Sequence, residues 1–532
     1  MLFSKGSQMD QAIKQIVIVG GGTAGWLTAA IVAAEHLVDE GQLAPNPLLN
    51  ILLIESPQVP TIGVGEGTWP SMRQTLQKIG ISETEFIRCC DASFKQGSQF
   101  VDWQQTPSNG STSYYLHPFT LPVGVPDFNI CPYWLGHRDA VSFADAVSQQ
   151  AELSVAGFAP KFITTPEYSF VNNYGYHLDA GKFSQLLQRH CVEKLGVRHV
   201  ADHVVSVESA CDGDIAAIMT ADHGRICADL FIDCSGQQSM LLGQHLQVPF
   251  LPQHQVLFND RALAVQVPYA EAESPIAANT IATAQASGWI WDIGLPTRRG
   301  VGHCYSSAHC SDDVALSRLV AYVARTAGGK VADLLTPKKL MIKPGYHAKC
   351  LERNCMAIGM AAGFIEPLEA SALALVEWSA KQIATQLPRT RQGLDLVAAR
   401  INQSYLQHWQ QIISFLKLHY VLSQRDDDVY WQDHRDTVPD VLKDQLALWH
   451  EQVPSNADFR FQDQLFPAAS YQYVLYGMQF NTAAYPQLKP SLKRKAHELF
   501  QQNAQRVAKL RTGLPTVRDL LNKISLYGLP PI

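Results

Sequence analysis

An α/β fold organised around a nucleotide-binding sheet is predicted by three features of this 532-residue chain. They are IVIVGGGTAGWLTAAIVAAEHL near the start, NILLIES soon after it, and two distant strand-like runs, ADLFIDCSGQQS and NCMAIGMAAGFIEPLEASA. The first reads as an apolar strand, a glycine turn and an amphipathic helix, with Gly20, Gly22 and Gly25 on the GxGxxG spacing. The first two glycines permit a tight turn and close backbone approach to a pyrophosphate. The third lets helix and strand pack, which aims the positive end of the helix at phosphate.

NILLIES supplies a second strand ending in Glu55, about 30 residues past Gly25 and somewhat beyond the usual spacing of about 20, where a carboxylate can accept from a ribose hydroxyl. The two later runs, one ending at Gly236 and one passing through Gly359 into a small-residue turn, look like further strands of a flavoprotein fold. They favour FAD over NAD. The predicted nucleotide domain is then discontinuous and Rossmann-like, its sheet drawn from both ends and the middle of the first 385 residues, with the substrate region inserted between.

After about Pro388 the texture changes. DLVAARINQSYLQHWQQIISFLKLHYVL and KRKAHELFQQNAQRVAKLRTG, the latter closed by Gly513, place apolar residues three and four apart, which predicts helices. Such helices cannot bury their apolar faces alone, so they are expected to pack on the α/β body and cap its cleft. The chain is accordingly divided into a core, 1–385, and a mainly helical region, 386–532.

Bulk properties exclude several functions. With 46% hydrophobic and 17% charged residues there is apolar material for a large core. A net charge of -6 offers no basic excess for nucleic acid or an acidic membrane surface. No stretch approaches the roughly 20 apolar residues of a membrane span, and the N-terminus lacks a signal-peptide pattern, so a cytoplasmic protein is expected. The 11 cysteines show no CxxC or regular framework and are read as reduced and mostly packed, with no metal site.

GWIWDIGLPTRRG, 288–300, then stands out, with two indoles two positions apart. Together with GGGTAGW, GVGEGTWP, SFKQGSQFVDW, YYLHPF, YHLDAGKF, DLFIDCSG and GFIEPLEASA, in that family's order, it resembles the flavin-dependent tryptophan halogenases, relatives of the flavoprotein monooxygenases. The resemblance spans residues 16 to about 385. It implies a two-component enzyme using FADH2 from a separate NAD(P)H-dependent flavin reductase. A flavin C4a-hydroperoxide formed with O2 oxidises chloride or bromide to hypohalous acid. That acid travels to an electron-rich aromatic substrate, tryptophan or another indole, which it halogenates by electrophilic substitution. A homodimer is compatible with this reading.

The resemblance also assigns residues. Lys95 matches the essential lysine that holds the electrophilic halogen, and Glu369 the carboxylate that stabilises or deprotonates the cationic ring. A cap or ion-pair role is left for Glu366, and a helix N-terminal acid is the bland alternative for Glu369. Cofactor contacts fall on Gly20, Gly22, Thr23, Ala24, Gly25, Glu55, Val64, Gly65, Glu66, Val204, Gly236, Gly359 and Met360. Halide is expected on the backbone N–H groups of Ser371 and Ala372. The family's E-S-T-G reads Glu369-Ala370-Ser371-Ala372 here, and loss of the glycine is expected to narrow that turn's conformations.

His117 and Phe119 match residues lining the aromatic substrate's pocket, because flat rings are held well by other rings. Residues 470–488 do not match the family's amino-acid-gripping pattern. On a strand, Trp289 and Trp291 share one face with Ile290 on the other, and they are read as a wall separating flavin from substrate. Gly294 replaces a proline of the signature, which is expected to loosen the wall's end. Two alternatives are a flavin-dependent aromatic monooxygenase and a non-catalytic FAD-binding protein. Met360, where single-component monooxygenases often carry Asp, tilts against the first, and retention of both Lys95 and Glu369 against the second.

Overall fold

The computed structural model describes residues 12–39, 41–44, 49–58, 65–108, 112–333, 335–459, 464–483 and 488–532. The chain has a mixed α/β fold. One sheet has six strands in the order Arg198–Ala201, Asn50–Glu55, Gln15–Val19, Leu230–Asp233, Cys355–Ala357 and Leu351–Glu352. The first five run parallel and the last is antiparallel. The central strand QIVIV has four buried side chains in a row, as a strand covered on both faces requires.

The helix Thr23–His36 follows Gln15–Val19 after a turn of three glycines. Gly20 adopts φ +116, and a side chain there would strike the Cys234 carbonyl. Gly25 stands against Gly20's own carbonyl oxygen, so the helix is drawn down onto the turn. Both later strands end earlier than expected. Leu230–Asp233 stops before Gly236 because the Asp233 carboxylate takes over the following backbone, accepting from the N–H groups of Ser235, Leu241 and Leu242 at 2.8–3.0 Å. Cys355–Ala357 stops before Gly359, whose φ of +70 opens a short 3-10 turn.

A second sheet of seven strands runs Lys338–Met341, Arg261–Pro268, Arg298–Tyr305, Trp289–Gly294, Thr280–Ala284, Gly97–Val101 and Tyr114–Pro118. Trp289 and Trp291 belong to the main core, whereas Ile290 packs in a separate cluster with Val265, Val301 and Leu319. The two indoles therefore do share a face. A third, small sheet joins Gly65–Gly67, Gly175–Asp179 and Ser93–Lys95.

Beyond residue 388 the described elements are helical: Arg391–Val421, Val429–Asp436, Asp440–Glu451, Ala468–Gly477, Pro490–Arg511 and Val517–Tyr527 are the main ones. The first is 31 residues long and carries Tyr405, Trp409, His419 and Tyr420 inward, all 2% exposed or less. All 11 cysteines are free and seven are buried. Among the described residues, no helix is long and apolar enough to cross a membrane.

Candidate active site

A cavity of about 740 Å³ opens at the carboxyl ends of the parallel strands, where α/β sheets place their ligands. Gly20, Gly22, Thr23, Ala24, Glu55, Gly65, Glu66, Val204, Gly236, Gly359 and Met360 all line it. Gly25 does not, because its place is the helix–turn contact. Val64 lies outside the described residues. Glu55 leans over the glycine turn so closely that a side chain at Gly21 would collide with its carboxyl group, and His199 Nε2 lies 3.4 Å from Glu55 Oε2. Burial, reinforced by the charge of Asp179, pushes the Glu66 carboxyl up to about 7.

Ser371 and Ala372 line the same cavity at the start of helix Ser371–Gln386. Ala372, which stands where the family motif has glycine, has ordinary helical geometry. The left-handed residue is instead Ala370, with φ 54, a conformation costing an alanine about 1–2 kcal/mol. It is held by Ala370 N–H donating to the Pro367 carbonyl at 3.0 Å and by Trp69 Nε1–H donating to the Glu369 carbonyl at 2.8 Å.

Just beyond this end of the cavity stand Lys95 and Glu369, 1% and 3% exposed. The partition is thin. Gly67 lines the cavity, yet a Cβ built on it would lie 3.2 Å from Lys95 Nζ and 3.5 Å from the Ala370 side chain. Lys95 is brought in by its strand, whose neighbour carries His177. Its ammonium lies 5.4 Å from the centre of the half-buried Phe119 ring. Burial lowers the Lys95 ammonium to about 8, against the opposing attraction of Glu369.

Glu369 is held by groups from three elements. His117 Nδ1 lies 2.9 Å from Oε1, Ser98 Oγ donates to Oε2 at 3.3 Å, and His419 Nε2 is 3.3 Å from Oε1. Burial alone would raise this carboxyl, but the two imidazoles outweigh it and hold it well below the usual carboxylate range. So the helix-terminal role set against Glu369 gives way to a buried polar cluster. Sequence reasoning does not find Tyr115, Ser98 or His419. The first two sit in motif blocks without being matched residues themselves, and His419 lies in a helix whose only signal is apolar spacing.

Glu366 is neither cap nor ion pair. It is buried and takes hydrogen bonds on Oε2 from Trp289 Nε1–H at 2.7 Å, Tyr420 O–H at 2.7 Å and Asn259 Nδ2–H at 2.5 Å. Trp291 lines the large cavity, whereas Trp289 is anchored behind it, with ring centres 6.2 Å apart. The wall is not loosened at Gly294. That residue stays paired with Arg299, and its carbonyl accepts from Ser93 Oγ at 2.5 Å. Ile276 and Tyr269 fill the space where a side chain would project.

The fold and these residues define a nucleotide-dependent α/β enzyme whose buried ammonium and carboxylate are set apart from the cofactor cavity. Residues 15–493 match the tryptophan halogenase family, and the chain belongs to this family of flavin-dependent halogenases. It is similar to a tryptophan halogenase of Shewanella frigidimarina NCIMB 400, whose solved structure superposes with a TM-score of 0.96 at 58% identity, covering 99% of this chain and 100% of that one. Tryptophan 6-halogenase SttH of Streptomyces toxytricini is 31% identical over 485 residues, 87% of this chain and 89% of the relative. Tryptophan 7-halogenase RebH of Lentzea aerocolonigenes is 27% identical, with 97% and 99% covered. The family match runs well past residue 385, where the readable motif blocks stop. Helices keep a family likeness through hydrophobic spacing rather than short motifs.

Proposed function

We propose that this protein is a two-component, FADH2-dependent halogenase acting on an electron-rich aromatic ring, tryptophan or another indole. The observation that carries this reading is the burial of Lys95 beside Glu369 across a single glycine from the nucleotide cavity. FAD suits that cavity by size, since cofactor sites run from roughly 300 to 1,000 Å³, and by the glycine turn, where Gly22 lines the cavity with open space beside it. The finer domain reading follows. Residues 1–385 form a discontinuous FAD-binding core, and 386–532 cover it.

Gly20, Gly22, Thr23, Glu55 and Gly359 would hold FAD, which, when reduced by a separate reductase, would supply hypohalous acid from O2 and chloride or bromide. The backbone at Ser371 and Ala372 holds the halide, Trp291 and Trp289 keep the substrate ring from the flavin, and His117 and Phe119 flank that ring. The ring carbon attacks the halogen and the O–X bond breaks. Lys95 protonates the departing hydroxide to water, and Glu369 takes the ring proton while the C–H pair restores aromaticity. The proton gained by Glu369 equals the one lost by Lys95, so its return resets the site.

The test supplies a flavin reductase, NADH, FAD, chloride or bromide and a panel of indoles, with products read by mass spectrometry. Halogen isotope patterns that vanish in Lys95→Ala are expected. Hydroxylated product without halogen would replace this reading with a monooxygenase, and absence of flavin binding would remove it altogether. The pH profile sharpens the role of Lys95. If the ammonium is the working form, kcat falls as pH rises through about 8. If a haloamine forms, the free amine is needed and kcat rises through the same range.

A further inference from the structure

We propose that Tyr115 and His419 are a positioning pair for Glu369, in which the Tyr115 hydroxyl fixes the His419 tautomer so that its Nε2–H is held against Glu369 Oε1. The pair comes from distant elements. Tyr115 is on strand Tyr114–Pro118, and His419 lies near the end of helix Arg391–Val421. The hydroxyl and His419 Nδ1 are 2.6 Å apart. His419 is 0% exposed and Tyr115 5%.

The rings are clamped. Phe100 stacks on Tyr115 at 4.7 Å with an interplanar angle of 8°, and on His419 at 4.5 Å and 28°. Phe415 meets His419 edge-on at 5.4 Å. Neither ring can turn its nitrogen or hydroxyl elsewhere without breaking this stack.

The tautomer follows from the bonding. Burial, then the nearby charge of Glu369, keeps the phenol un-ionised, so Tyr115 has a proton to donate. Burial likewise lowers His419, favouring neutral imidazole. A neutral imidazole carries one N–H, so a nitrogen that accepts from Tyr115 leaves the proton on the other. That other nitrogen, Nε2, is 3.3 Å from Glu369 Oε1, within ion-pair range though outside the angle of a formed hydrogen bond. His117 reaches the same oxygen at 2.9 Å. Oε1 thereby faces two imidazoles, and Oε2, whose hydrogen bond among the described residues comes from Ser98 Oγ at 3.3 Å, is the oxygen left to take the ring proton. A base held in one orientation by a fixed neighbour is the arrangement that makes proton removal fast.

The proposal rests on the halogenase reading, and one assay separates them, since wild-type halogenation tests the reading and the variants test the pair. Full-length His419→Phe, His419→Gln and Tyr115→Phe are compared with ring-deuterated and unlabelled indole. In His419→Phe, kcat is expected to fall roughly tenfold to a hundredfold, with KM little changed, and a primary deuterium isotope effect should emerge as proton removal becomes limiting. His419→Gln, whose amide N–H can stand where Nε2–H stood, should recover most of the rate. Tyr115→Phe should fall between them. Equal losses in Gln and Phe variants, a loss confined to KM, or no isotope effect would overturn the pair. Should the His419 variants fail to fold, Tyr115→Phe and 15N NMR of the wild-type histidines decide. A neutral Nε2–H signal supports the proposal, and a Nδ1–H tautomer or an imidazolium at His419 refutes it.

Discussion

Glu366 and Glu369 stand three residues apart on one turn, 1% and 3% exposed, yet their surroundings push them in opposite directions. Around Glu366 burial dominates and raises the carboxyl, because its donors, Trp289, Tyr420 and Asn259, are neutral and all fall on Oε2. Around Glu369 two imidazoles overcome an equally complete burial. Position in a motif therefore says little about protonation, whereas the partners that meet the carboxyl decide it, imidazoles at Glu369 and an indole, a phenol and an amide at Glu366. Two acids driven apart in this way mark a division of labour. In the proposed function, Glu366 anchors Trp289 and Glu369 takes the ring proton.

The sharpest way to break this comparison is to neutralise each acid without changing its shape. Glu369→Gln should lose on the order of 10²–10⁴ in kcat, the worth of a general base, with FAD binding by fluorescence titration unchanged. Glu366→Gln should keep most of its turnover, since the amide oxygen can still accept from the same three donors. Comparable losses in both would mean that the two carboxyls are not divided as described.

A smaller effect, on stability instead of rate, comes from removing the acceptor altogether. Glu366→Ala leaves the Trp289 indole N–H, the Tyr420 hydroxyl and the Asn259 amide buried without their acceptor. Unpaired groups of this kind should cost roughly 2–4 kcal/mol in total, read from the midpoint of urea unfolding. Asn259 Nδ2–H also donates to the Tyr420 hydroxyl oxygen, Oη, at 3.1 Å, which keeps the loss toward the lower figure. A change below the error of the measurement would show that the three donors re-pair among themselves.

The two ends of the site are unequally legible in the sequence. The nucleotide end depends on backbone, and backbone demands leave glycines at fixed spacing. Gly20 and Gly22 are thus assigned to the cofactor by spacing and strand context, Gly236 and Gly359 by likeness to later strands of a flavoprotein fold, and all four line the cavity. Lys95, Glu369, His117 and Phe119 are readable only through motif resemblance, because nothing in a lysine's neighbours announces burial. His419 is not readable at all. It lies 50 residues from Glu369 in a helix, and only folding brings the imidazole to the carboxylate. The turn at Ala370 misleads for a related reason. The glycine seen in relatives draws attention to Ala372, whereas the positive φ falls two residues earlier, where Trp69 and the Pro367 carbonyl hold it.

The finest test is the sign of the stability change with pH. Glu369 has its folded pKa below the unfolded value, so its contribution is present above the ordinary carboxylate range and is lost as pH falls toward the folded value. Replacing it with Gln should cost more stability at pH 7 than at pH 4. Glu366 has its folded pKa above the unfolded value, so its contribution is present in acid and is lost as pH rises through the folded value. Glu366→Gln cannot ionise and escapes that loss, so relative to wild type it should gain stability between pH 4 and pH 8. Urea midpoints for the two variants, each measured against wild type across this range, should slope in opposite directions. Parallel slopes would mean that neutral donors hold a buried carboxylate as well as imidazoles do, and the contrast between the two glutamates would then dissolve.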